Sequence, residues 1–141
     1  MQGLTNIQEC LTALMSQPEG FFPLIIGGDH AITAPAVRAY SAAHPDQQVG
    51  LIHFDAHNDV RVMDHGPTNG TPIRGILESG ARVSGENLVQ VGIHGFMNAS
   101  YYKRWVEGRG ARGGGGRRAA RPPVVRVHVR STIGSCGLVL T

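Results

Sequence analysis

The sequence predicts an α/β chain built on a parallel sheet with helices on both faces. Three observations carry this. First, helical apolar spacing alternates with short apolar runs along residues 4–107, and such alternation gives parallel strands joined by crossover helices. Second, the apolar runs are nearly continuous, as in strands covered on both sides. Third, the polar clusters GGDH (27–30) and DAHND (55–59) each follow such a run. They therefore fall at strand carboxyl ends, where open α/β sheets bind ligands.

Taken in order, LTNIQECLTALMS (4–16) spaces Leu4, Ile7, Leu11, Leu14 and Met15 at helical intervals, and Pro18 and Gly20 stop it. FFPLIIGG (21–28) is a short apolar run ended by two glycines and reads as a buried strand. HAITAPAVRAYSAAH (30–44) is an alanine-rich helix, with Pro35 early enough to be tolerated near the first turn. QVGLIHFDAH (48–57) is the next strand, and residues 60–70 form a loop rich in glycine, proline and asparagine. In TPIRGILESG (71–80), Thr71 is a candidate N-cap, Pro72 takes the first helical position and Gly80 the position after the helix. NLVQVGIHG (87–95) is a third strand, and NASYYKRWVE (98–107) a helix capped by Asn98 or Ser100.

The 141 residues suffice for one domain with a modest core. No stretch approaches the roughly 20 apolar residues of a membrane span, and the N-terminus lacks a signal-peptide pattern. Cys10 and Cys136 fit no metal or redox spacing, so a reducing, cytoplasmic setting is expected. The net charge of +3 conceals two unlike parts. Residues 1–107 hold all ten acidic residues against six basic ones, a balance of −4, whereas residues 108–141 hold seven arginines and no acid. The basic balance belongs to the tail, and the body is not read as a nucleic-acid binder.

DAHND carries the chemistry. While strand geometry lasts, residues two apart point to one side, so Asp55, His57 and Asp59 converge. Two carboxylates and an imidazole suit Mn²⁺, Fe²⁺, Co²⁺ or Zn²⁺, and the lack of thiolates argues against structural zinc. His30, ending the neighbouring run, adds a fourth donor. Set against this, an acid at a strand end also serves to cap the following helix. The pairing of both motifs at the expected sheet edge favours metal. His53, in mid-strand, reads as a satisfied core residue. His44, His65 and His128 read as loop or surface, and His94 as a candidate for supporting the site from behind its ligands.

PLIIGGDHAIT and HFDAHNDVR together resemble the two signature segments of the ureohydrolase family, which includes arginase, agmatinase and formimidoylglutamase. The resemblance covers about residues 5–107. It implies a three-layer α/β/α fold, here partial, and a binuclear Mn²⁺ centre that hydrolyses a C–N bond in a linear amidine or guanidino compound through a metal-bridging hydroxide. Carried across, His30 binds one ion with Asp55 and Asp59, His57 binds the other, and Asp55 bridges. It further implies a homo-oligomer when intact, with no membrane or nucleic-acid partner. Two departures stand out. The His-Gly pair of arginases and agmatinases is Asn69-Gly70 here, within TNGTP, which is closer to the Ser-Gly-Thr-Pro of formimidoylglutamases, as is DVR after the motif. The expected substrate is accordingly an amidine such as formimidoylglutamate, with Asn69 and Arg61 at its site and Arg61 or Arg74 receiving its carboxylate; solvated surface charges are the plainer reading of the two arginines. The late Asp-x-Asp-x-x-Asp-Pro segment, which supplies two further ligands in relatives, has no counterpart, since no acid follows Glu107.

GRGARGGGGRRAARPP (108–123) contains only Gly, Arg, Ala and Pro. These have GC-rich codons, so residues 108–141 read as an out-of-frame, disordered tail after a domain spanning 1–107. Two alternatives to the enzyme follow. One is an inactive fragment keeping part of the metal site. The other is a nucleic-acid-binding protein acting through its basic tail, although that tail has no aromatic residue to stack on bases.

Overall fold

The computed structural model describes residues 2–18, 23–114 and 138–140. Helix α1 (Gln2–Met15) leads to a short 3-10 turn (His30–Ile32) and α2 (Thr33–Ala43). Strand β1 (Gly50–Phe54), α3 (Pro72–Leu77), β2 (Leu88–Val91), α4 (Ser100–Glu107), β3 (Arg112–Gly114) and β4 (Leu138–Leu140) follow. The four strands form one sheet in the order β3-β2-β1-β4, every neighbouring pair parallel. The α/β class and the parallel sheet are those the sequence predicts.

Two successive crossovers, β1 to β2 through α3 and β2 to β3 through α4, step the same way across the sheet. With the usual right-handed connection both helices lie on one face. The core forms there: Val37 of α2, Ile73 and Ile76 of α3 and Val106 of α4 cluster with Leu51 and Leu88. Each is almost wholly buried, and full burial of one such side chain contributes about 1.5–3 kcal/mol. On the opposite face Ile52 and Val89 are half-buried, and Phe54 is exposed.

The register sets the site. Leu51 faces Leu88 across the ladder, and one step further His53 faces Gln90. All four are fully or almost fully buried. The inward face therefore changes from an apolar pair to a polar pair as the strands reach their carboxyl ends.

Three expectations need correction. Residues 23–27 form no strand, and Leu24 and Ile26 are 81% and 89% exposed. The edge of β1 opposite β2 is taken by β4, which leaves this run no ladder beside β1. Gly27 still has a packing role, since a Cβ there would lie 2.1 Å from Cδ1 of Ile32. Thr71 precedes α3 but does not cap it with its side chain, which is paired with Thr68. The Asp59 carbonyl instead accepts from the amides of Ile73 and Arg74, at 3.1 and 3.3 Å. Neither Asn98 nor Ser100 caps α4; Ala99 holds that position without a side-chain bond. Asn98 ties two loops together by donating to the carbonyls of Ala56 and His94, both at 2.7 Å.

Described structure continues past residue 107. A turn at 108–110 brings Ala111 into the core, and β3 pairs with β2. Arg109 stacks on Trp105 at 3.6 Å, opposite Arg74 at 4.0 Å. The arginine-rich residues 115–137, on which the expectation of a disordered tail chiefly falls, lie outside the described residues, as does His128.

Candidate metal centre

Asp55 is the first residue beyond β1, and its amide still donates to the Val91 carbonyl at 3.1 Å, so the strand direction carries through it. Its side chain divides the site. Oδ2 faces inward, 3.6 Å from His30 Nδ1 and 3.7 Å from His53 Nε2. Oδ1 faces outward, 2.8 Å from the His57 amide and 3.4 Å from His57 Nδ1.

Asp59 reaches the inward side by a different route. Its φ is +52°, the only positive value at a non-glycine position among the described residues. Such a conformation costs of order 1–3 kcal/mol and persists where surrounding bonds fix it. Here the two amides at the start of α3 hold its carbonyl. Its carboxylate then lies with Oδ2 at 2.8 Å from His30 Nδ1 and 3.6 Å from His53 Nε2. His30 enters from the 3-10 turn, which Asp29 caps by accepting from the Ala31 amide at 2.9 Å.

One ligand atom from each of His30, His53, Asp55 and Asp59 lies within 4.8 Å of all the others. The sequence-predicted set thus divides: His30, Asp55 and Asp59 converge, while His57 sits on the far oxygen of Asp55 with its side chain half exposed. His53 is a correction. It is fully buried, as expected of a core residue, but only Nδ1 is satisfied, and Nε2 faces the two carboxylates without a hydrogen-bond partner. The alternation rule pointed to it, because His53 and Asp55 are two apart on the inward face. His57 comes after the strand has ended.

Two carboxylates this close repel unless a cation or proton lies between them. In this state His30 takes that part. Its hydrogen bond to Asp59 holds its pKa above the ordinary value, with the charges of Asp59, Asp55 and Asp29 adding to the effect against burial. His53 goes the other way: desolvation holds its pKa below the ordinary value and keeps it neutral. A centre of two carboxylates and imidazole nitrogen, without thiolate, has the chemistry of a divalent first-row cation site.

The cluster opens into a cleft of about 240 Å³ lined by His30, Asp55, His57 and Asp59, with Arg61 and Asn69 beyond them. Both predicted substrate residues therefore border the same space. Arg61 is held across Gly70, whose carbonyl accepts from the Arg61 amide at 3.0 Å. Arg74 is excluded from this role. It is buried, with Nε donating to the Val60 carbonyl and Nη1 to Glu78, both at 2.9 Å, so it is neither a solvated charge nor a substrate contact. His94 is exposed and faces the Gly92 carbonyl rather than the cleft.

The arginase-family profile matches residues 2–112. The chain belongs to the arginase family. It is 42% identical over 108 residues to formimidoylglutamase of Halalkalibacterium halodurans, covering 76% of this chain and 33% of that one. It is 42% identical over 79 residues to guanidinopropionase of Pseudomonas aeruginosa, covering 54% and 24%. Among solved structures, formimidoylglutamase of Bacillus subtilis superposes with a TM-score of 0.73 at 33% identity, covering 80% of this chain and 35% of that one. Formiminoglutamase of Trypanosoma cruzi, solved with Mn²⁺, gives 0.70 at 28% identity, covering 79% and 37%. The chain spans about a third of the length of the curated relatives it matches. Among the described residues, no helix is long and apolar enough to cross a membrane.

Proposed function

We propose that the chain carries part of the metal site of a manganese-dependent hydrolase that cleaves a C–N bond in a linear amidine or guanidino compound, of the formimidoylglutamase and agmatinase type. One observation carries the reading: Asp55 stands between two sets of nitrogen donors, Oδ2 toward His30 and Oδ1 toward His57, at the mouth of a cleft. A carboxylate so placed suits bridging. His30, Asp55 and Asp59 would hold one ion, and Asp55 with His57 would contribute to a second. When bound, paired divalent ions supply a water acidified toward neutral pH, which the weakly electrophilic amidine carbon requires.

The remaining roles fall to the chain's own residues. The Arg61 guanidinium offers a forked donor to a substrate carboxylate. Asn69 offers an amide to a neutral or cationic amidine, and lacks the proton-transfer capacity of a histidine. Both features favour an amidine that bears a carboxylate, with formimidoylglutamate as the leading candidate. Water adds to its formimidoyl carbon, the C–N bond to the amino acid breaks, and glutamate and formamide leave.

The test is to supply the purified chain with Mn²⁺ and assay formamide from formimidoylglutamate and urea from agmatine, with Asp55→Asn as control. Formamide release abolished by the control supports the assignment. Urea from agmatine without formamide overturns the substrate. A second reading has its own observation: among the described residues the His57 side offers two donors and the inward side at least three. The chain would then bind one ion without turnover. Manganese stoichiometry separates the readings, two per chain for the first and one for the second.

A further inference from the structure

The four-residue cluster invites the conclusion that His53 is a metal ligand. The hydrogen bonds behind it point elsewhere. The Gln90 amide nitrogen donates to the Asn58 carbonyl at 2.9 Å. A backbone carbonyl only accepts, so this contact fixes which end of the amide is nitrogen. The Gln90 oxygen agrees, accepting from Asn58 Nδ2 at 2.9 Å. The same amide nitrogen lies 3.0 Å from His53 Nδ1. It has a second hydrogen and no lone pair to offer, so Nδ1 accepts. In a neutral imidazole the proton is then on Nε2. That nitrogen is wholly buried and faces Asp55 Oδ2 and Asp59 Oδ2 at 3.7 and 3.6 Å.

Resting on the metal-centre reading above, we propose that His53 is a positioning residue and not a ligand. Asn58 and Gln90 lock it as the Nε2–H tautomer, so that it directs a donor at both metal-binding carboxylates and withholds its lone pair from the cation. The lock has a consequence for metal choice. With His53 withheld, the inward donors are one imidazole and two carboxylates, an oxygen-rich set that suits Mn²⁺. With it admitted, the set becomes two imidazoles and two carboxylates, which favours zinc. The polar register pair His53–Gln90, a costly feature in a buried sheet face, thereby has a use.

The full chain is labelled with ¹⁵N-histidine and its ring nitrogens are read by NMR without metal. The expected spectrum assigns the proton of His53 to Nε2; a proton on Nδ1 overturns the proposal. Affinities for Mn²⁺ alone and Zn²⁺ alone are then measured for wild type, Gln90→Glu and Gln90→Met. A glutamate accepts from Nδ1–H and frees Nε2 toward the cluster, so the Zn²⁺-to-Mn²⁺ affinity ratio rises by about tenfold or more. Methionine removes the lock without reversing it and gives a smaller rise. An unchanged ratio in folded Gln90→Glu overturns the proposal, and if that variant does not fold, an unchanged ratio in Gln90→Met does so. If the wild-type chain binds neither metal, the proposed function fails, while the wild-type spectrum still decides the tautomer.

Discussion

Replacing Arg74 by methionine separates a structural arginine from a substrate-binding one. The aliphatic stem survives and the guanidinium is lost. The Val60 carbonyl then loses its charged donor at 2.9 Å, a loss of about 1.5–3 kcal/mol. The stacking of the guanidinium on Trp105 at 4.0 Å contributes about 1–2 kcal/mol more. The Glu78 pair adds little, because Glu78 is 37% exposed and such pairs contribute about 0–1 kcal/mol. Against these losses, Nη2 is buried without a hydrogen-bond partner, and removing it returns about 1 kcal/mol. The net destabilisation is about 3 kcal/mol. With a urea m-value of about 1.5 kcal/mol/M, the midpoint falls by about 2 M. Val60 adjoins Asp59, so Mn²⁺ affinity falls as well. Arg61→Met, at an exposed side chain, serves as control and shifts stability by less than about 0.5 kcal/mol. Equal urea midpoints for Arg74→Met and wild type would mean that the buried Arg74 guanidinium does not hold the fold.

Further outcomes follow from the same geometry. A Cβ at Gly85 would lie 2.0 Å from the Arg109 carbonyl oxygen, so Gly85→Ala should destabilise by about 1–3 kcal/mol in thermal melts; a neutral result would mean that residues 108–114 do not pack on the body. A Cβ at Gly70 would lie 2.9 Å from Arg61 Cδ, so Gly70→Ala should swing Arg61 aside and weaken binding of formimidoylglutamate by calorimetry at least several-fold, of the order of 1 kcal/mol. Equal affinity would remove Arg61 from the substrate site. The pKa of His30 is raised by its partner, so the His30–Asp59 pair stabilises the metal-free chain fully below about pH 6.5, and this contribution is lost as pH rises through the raised value. A cation must displace that proton, so Mn²⁺ affinity should climb with pH across the same window, with proton release seen in buffers of different ionisation enthalpy. A flat profile would contradict it.

Much of this was legible in the residues. Alternating helical and apolar segments implied the parallel sheet, and the position of DAHND behind an apolar run implied a site at strand carboxyl ends. His30, Asp55 and Asp59 were expected there for that reason, and they converge in the structure. His57, expected with them by extending strand alternation past Phe54, where the strand stops, lies instead on the outer oxygen of Asp55. Begun one step earlier, the same rule places His53 beside the inward carboxylates. Asp59 joined the set for a reason other than alternation, namely a left-handed backbone held by the start of α3. No short-range pattern reveals such a contact. Nor could a local reading show that Gln90, 37 positions from His53, is its register partner. The run at 23–27 failed for a related reason, since a strand exists only where an edge is free to pair with it.

The most direct test of the metal centre is manganese bound per chain after equilibration and desalting, compared between wild type and Asp55→Asn. Asp55 touches both sides of the cluster. Wild type should retain at least one ion and the folded variant essentially none; equal manganese in the two, or none in either, would rule out a centre built on Asp55.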